Sequence, residues 1–235
     1  VMRTKDKESG TPLVSLVMDK AGQKGTGRWT VQAALEQGVA VPGISAAVDA
    51  RVLSSMKTQR VAASKLLQGP STKVATEHKA IMADLHGAIY ASRITAYAQG
   101  MALIRSASDR YEWSVDLAET ARIWKGGCII RARLLDPIRA AFSRDTEPAN
   151  LMTDPEMSHQ LHGLQGAWRR VVTYAVSVGI PLPVMSACLN YFDSYRSDRL
   201  PQNLIQAQRD AFGAHTYERI DNPDAGLVHT EWLDD

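Results

Sequence analysis

The stretch EHKAIMADLHGAIYASRITAYAQGMALIRS, residues 77–106, decides the fold class. Ile81, Leu85 and Ile89 recur every four residues, and Ala88, Ser92 and Ala96 keep the adjoining surface small. Apolar residues at that spacing share one face of a helix, and small residues beside them let a second helix approach closely. No proline interrupts the run, so the pattern predicts one long helix from Glu77 to Ser106. On its N-terminal side, Ile44, Val48, Val52 and Met56 repeat by four between Pro42-Gly43 and the stop Gly69-Pro70. This predicts a second major helix over Ile44–Gln68 that packs against the first.

The same grammar continues toward the C-terminus. Ser114 and Asp116 open a short helix through Trp124, Gly126-Gly127 break it, and apolar spacing resumes from Cys128 through Leu134, Leu135 and Ile138 to Phe142. Asp154 followed by Pro155 is a cap with proline in the first turn, starting a helix toward Val178. Gly179-Ile180-Pro181 ends it, and Pro183 begins another through Tyr195. No segment alternates with period two for long enough to make a strand, and no strand–helix alternation suggests a parallel sheet, so the fold class is all-α. Pro12–Met18, a short apolar run, is open to either extended or helical structure. From Leu200 the composition turns polar: one short helix, then an irregular tail ending in Trp232-Leu233-Asp234-Asp235. The expected organisation is therefore a helical domain over residues 1–199 and a tail over 200–235. That tail carries Leu204, Phe212, Tyr217 and Trp232 without a core of its own and must pack on something else, its own chain or a partner subunit.

One short stretch carries chemistry. Asp19-Lys20-Ala21-Gly22-Gln23-Lys24-Gly25-Thr26-Gly27-Arg28-Trp29 gathers three glycines, a cation and a hydroxyl ahead of a helix that runs to Gln37 and stops at Gly38. Glycines permit positive φ and close backbone approach, and a helix N-terminus offers free N–H groups, so the loop suits an oxyanion. It is neither of the familiar nucleotide loops. Lys24 precedes Gly25, unlike the Walker A order, and the glycines run Gly-x-x-Gly-x-Gly rather than Gly-x-Gly-x-x-Gly.

Composition excludes several classes. A formal charge of +2 on 235 residues gives no support for nucleic-acid binding. No apolar run approaches the roughly 20 residues that cross a bilayer, and the amino end turns polar at once, unlike a signal peptide. Cys128 and Cys188 are too few for a disulfide scaffold and lack zinc-ligand spacing, which fits a reducing cytoplasm. His159 and His162 share a helical face, but two histidines without a third ligand give no metal site.

The Asp19 and Gln23–Trp29 residues closely resemble the signature of the decarboxylating 6-phosphogluconate dehydrogenases. The resemblance continues at Ala50–Ser55, Arg60–Lys65, Tyr97–Gly100, Gly127–Arg131, Leu200–Asp210 and Phe212–Tyr217. It spans essentially the whole chain but only the C-terminal half of the family's proteins. It implies an enzyme that oxidises 6-phosphogluconate with NADP and releases CO2 and ribulose 5-phosphate. The resemblance further implies that Lys24, Thr26 and Arg51 bind the sugar phosphate. Arg209 and His215 would reach across from the other subunit of an intertwined homodimer. The family's dinucleotide fingerprint, its catalytic lysine and its catalytic glutamate belong upstream of Val1, so no catalytic residue is expected in this chain, and NADP is expected to bind mainly to the upstream domain. A start at Val1 in a polar stretch suggests that residues precede it. The alternative reading is a non-catalytic helical scaffold or binding protein derived from this domain.

Overall fold

Helix α4 (His78–Arg110) is the axis of the fold. The computed structural model describes residues 1–70 and 78–232, so Glu77, the expected first residue of this helix, lies outside the described residues. At 1.5 Å per residue α4 is about 50 Å long. Ala88, Ala91, Ile94, Thr95, Ala98 and Met101 along it are buried. The small residues do what their size allows. A Cβ added at Gly87 would lie 3.3 Å from the Ala167 Cβ and from Leu164 Cδ2, so the neighbouring helix comes almost to backbone contact there.

That neighbour is α7 (Pro155–Ser177), which buries Met157, Leu161, Trp168 and Val171. Trp168 is fully buried, and its indole N–H donates to the Met185 carbonyl at 3.2 Å, tying α7 to α8 (Pro183–Tyr195). Arg170 grips Asp84 of α4 with two hydrogen bonds of 2.8 and 2.7 Å. The short helix α5 (Leu117–Ile123), capped by Asp116, and α6 (Leu135–Arg144) complete the core with Leu117, Ala121, Ile138 and Phe142. The expected apolar run from Cys128 is helical only from Leu135. Before it the chain turns, with Gly127 at φ 70° and Ile129 fully exposed, and the Tyr97 hydroxyl donates to the Ile130 carbonyl.

Among the described residues, three α-helices precede α4. Helix α1 (Thr26–Gln37) ends at Gly38, whose left-handed φ of 67° lets its N–H return to the Ala34 and Leu35 carbonyls. Helix α2 (Pro42–Ser55) starts with proline. Ala34, Val41 and Leu103 form a small second core where α1, α2 and α4 meet. The single helix expected over Ile44–Gln68 is instead two, α2 and α3 (Lys57–Ala63), separated at Met56. The physical reason lies in two hydroxyls. Ser54 Oγ donates to the Arg51 carbonyl at 2.8 Å and Ser55 Oγ to the Val52 carbonyl at 2.7 Å, satisfying the last turn of α2 locally and competing with continuation. Pro12–Met18 forms one short 3-10 turn, Leu13–Leu16, with no buried residue.

The chain divides into two compact units, Val1–Phe192 and Asp193–Asp235, with the division inside α8. The second unit contains α9 (Gln202–Gly213) and, where an irregular tail was expected, an antiparallel pair of two-residue strands, β1 (Tyr217–Glu218) and β2 (Leu227–Val228). Its centre is polar: Asp210 is fully buried, whereas Leu204, Phe212 and Leu227 are exposed. Leu233–Asp235 lie outside the described residues. Among the described residues this pair is the only sheet, so the all-α expectation holds.

Candidate functional site

The glycine loop is pinned where α2 ends and α3 begins. Asp19 sits between Lys57 Nζ at 2.6 Å and Arg60 Nη1 at 3.0 Å, and these two cations hold its carboxyl down at about 2. The Arg60 guanidinium also donates to the Asp19 and Ser54 carbonyls, at 2.9 and 3.1 Å. Ser54 Oγ accepts from the Ala21 N–H at 2.9 Å. The break at Met56 lets Lys57 and Arg60 begin a new helix and bond back to Asp19 at the start of the loop.

Beyond the clasp, Gly25 turns the chain with φ 107° and becomes the N-cap of α1. A side chain there would be strained by that φ, and the Trp29 ring already lies 3.5 Å from where its Cβ would be. Thr26 is the first residue of α1, exposed, at a terminus whose first N–H groups have no acceptor within the helix. Gly27 faces α2 closely, its hypothetical Cβ 3.1 Å from Val48 Cγ2.

Arg51 follows from these contacts. Val48, Arg51 and Ser54 are spaced by three along α2 and so form one strip of its surface. Val48 touches Gly27 at one end and Ser54 bonds Ala21 at the other, which places Arg51 between them, on the side of the loop. Lys24, Thr26 and Arg51 are all exposed. With Asp19 already neutralised by Lys57 and Arg60, Lys24 and Arg51 have no carboxylate partner among the described residues. Exposed together here are two cations, a hydroxyl and the free N–H groups of a helix start, a set of groups suited to a multiply charged anion.

Arg209 and His215 belong to the second unit. Arg209 lies exposed on α9 and donates to Gln206 Oε1 at 2.9 Å. His215 follows the helix, and its ring is 3.0 Å from where a Cβ on Gly213 would be. Arg209 and Gly213 are four apart on one face of the last turn of α9, and the His215 ring, from the loop that follows, rests against Gly213 on that face. Sequence reasoning assigned no role to Ser54, Lys57 or Arg60, although Asp19, an acid within a glycine-rich signature, signalled that a cationic partner would be needed. His159 and His162 are exposed on α7, and the described residues hold no group of three or more His, Cys, Asp or Glu that could bind a metal ion. No described helix is long and apolar enough to cross a membrane.

A family model described as "6-phosphogluconate dehydrogenase, C-terminal domain" matches residues 1–232. The chain belongs to the 6-phosphogluconate dehydrogenase family. A decarboxylating 6-phosphogluconate dehydrogenase of Synechococcus elongatus is 55% identical over 229 residues, covering 97% of this chain and 48% of the relative. One of Bacillus subtilis, named as NADP(+)-dependent and decarboxylating, is 49% identical over 99% of this chain and 50% of its own. Among solved structures, the Plasmodium falciparum 6-phosphogluconate dehydrogenase superposes with a TM-score of 0.92 at 39% identity, over 98% of this chain and 49% of that one. That protein was solved in its apo form, with its cofactor NADP+ and with its substrate 6-phosphogluconate. The chain thus spans about half the length of the relatives it matches. The scaffold alternative finds no support among these 6-phosphogluconate dehydrogenases.

Proposed function

We propose that this chain is the substrate-binding and dimerisation half of an NADP-dependent 6-phosphogluconate dehydrogenase, which converts 6-phosphogluconate to ribulose 5-phosphate and CO2. The observation that carries this reading is the pinned glycine loop, which leads into α1 with Lys24 and Thr26 exposed and is held by the end of α2, where Arg51 is exposed as well. A substrate with a carboxylate and a phosphate needs several cations and N–H donors to replace its water. Lys24 supplies a compact positive charge, Arg51 a planar fork, and Thr26 a hydroxyl at a helix N-terminus. Arg209 and His215 add a cation and an imidazole from the tail of the partner subunit in a homodimer that exchanges tails. These residues bind and orient; none is assigned a proton or hydride transfer.

NADP, when bound, accepts the hydride in such an oxidation. The described residues of this chain contain no βαβ unit to cradle a dinucleotide, so cofactor binding is assigned mainly to the part of the relatives that this chain does not span. The free thiols Cys128 and Cys188 suit a reducing cytoplasm, which we take as the location.

The test is Lys24→Ala in the full-length protein, titrated calorimetrically with 6-phosphogluconate. Removing one charged hydrogen-bond donor is expected to cost about 1.5–3 kcal/mol, roughly ten- to more than hundredfold in Kd. Lys24→Arg should recover only part, because a guanidinium does not reproduce an ammonium among glycines. Unchanged affinity in a folded Lys24→Ala protein would reduce the loop to the start of a helix with a solvated lysine.

A further inference from the structure

Asp210 is a buried charged group with four hydrogen-bond donors around it. Its side chain is fully buried, and both oxygens accept twice. Oδ1 takes the Thr216 N–H at 2.8 Å and the His229 Nδ1 at 2.9 Å; Oδ2 takes the Thr230 N–H at 3.0 Å and the Trp232 indole at 2.8 Å. Burial pushes the carboxyl up, but the hydrogen bonds from Trp232, His229, Thr230 and Thr216 outweigh it and hold the group ionised. A buried carboxylate is costly unless paired in this way, so the arrangement calls for a purpose beyond filling space.

The geometry around it supplies one. Ala214 and Thr216 both have left-handed backbone, at φ 51° and 58°, unfavourable for residues with a Cβ. His215 sits between them. The loop is held in that shape by two clamps on Thr216: Asp210 takes its N–H, and Gln206 Nε2 donates to its carbonyl at 2.6 Å. Gln206 is also the acceptor for Arg209. One set of bonds thus fixes the loop that carries His215 and, through Gln206, the guanidinium of Arg209, while the His215 ring rests against Gly213, which leaves room for it.

We infer that Asp210 is a positioning residue for substrate recognition, its buried carboxylate holding the strained 214–216 loop so that His215 meets the anionic substrate beside Arg209. The inference rests on the proposed function, since it takes His215 and Arg209 as substrate contacts. It adds a residue that touches no substrate itself and acts only through the loop.

The test is a double-mutant cycle in the full-length enzyme with Asp210→Asn, His215→Ala and the pair. An amide keeps the shape but turns an NH2 toward two of the four donors. If Asp210 acts through His215, Asp210→Asn raises the KM for 6-phosphogluconate about tenfold, as for loss of a charged hydrogen bond, with kcat and the KM for NADP within about twofold. The pair is then no worse than His215→Ala alone, because residues acting through one another are not additive. A general loss of stability would not produce that pattern. An unchanged KM in Asp210→Asn while His215→Ala is impaired overturns the inference and leaves the proposed function standing. Effects that multiply in the pair overturn it as well. A His215→Ala enzyme with unaltered KM would remove this part of the functional reading and the inference with it. Should Asp210→Asn not fold, Trp232→Phe removes one donor. Its smaller rise in KM should vanish in the His215→Ala background, and a rise that persists there refutes the inference.

Discussion

Gly43 shows how much one residue can owe to its surroundings. Its N–H donates to Gln99 Oε1 at 2.9 Å, and a Cβ added to it would lie 2.4 Å from Cys188 Sγ. Three helices, α2, α4 and α8, therefore meet at an atom that is not there. Gly43→Ala is expected to destabilise the protein by about 1–3 kcal/mol, the usual cost of overfilling a tight core. Cys188→Ala in the same chain should recover part of the loss, because it removes the atom in the way. Urea unfolding of the two variants decides it, and equal stability of Gly43→Ala and the parent would show that the core opens at no cost. The same burial pushes the Cys188 thiol up to about 11, leaving it a packing group and not a nucleophile.

At the scale of elements, α7 depends on the residue that caps it. Asp154 accepts from the Glu156 and Met157 N–H groups at 3.1 and 3.2 Å and is gripped by Arg144 from the end of α6 at 2.8 Å. The cap thus joins two helices as well as starting one. Asp154→Ala should cost about 1–2 kcal/mol, which for a chain of this size lowers Tm by about 2–8 °C. Asp154→Asn should lose less, since asparagine caps nearly as well but gives up the charge opposite Arg144. Identical melting of parent and alanine variant would mean that Arg144 and the cap contribute nothing net. The break between α2 and α3 belongs to the same scale: two serine hydroxyls and a clasp on Asp19 turned one expected helix into two.

For the whole molecule, the telling feature is apolar surface left in water. Phe212 is 90% exposed and Ile220 80%, both in the tail, while Leu35 on α1 is 77% exposed. Apolar residues exposed singly are ordinary on a surface, but the tail-exchange proposal requires Phe212 and Ile220 to be covered by a partner subunit. The chain is therefore expected to self-associate, with light scattering at micromolar concentration giving twice the chain mass, and Phe212→Asp shifting it toward monomer. A concentration-independent monomer whose tail resists protease would show a tail satisfied within its own chain, and the tail-exchange proposal would fail.

The helix boundaries that depend on local chemistry were legible in the residues: Gly38, Asp154-Pro155, Gly179 and Pro183 stop or start helices by backbone conformation and capping, interactions that span a few residues and need no tertiary partner. The signature Asp19–Trp29 was legible for the same reason, since glycines and a helix start lie in one short segment. What required the folded chain was everything set by distant contacts. The turn from Cys128 to Leu134 follows an apolar spacing that reads as helix, yet tertiary contacts such as Tyr97 to Ile130 go with its not forming one. Arg51 reads as a solvated arginine until Val48 and Ser54 are seen to touch the loop on either side of it. Asp210 reads as one polar residue among many in a short helix. Its four donors come from up to 22 residues downstream, and only their convergence makes a carboxylate the centre of a fold.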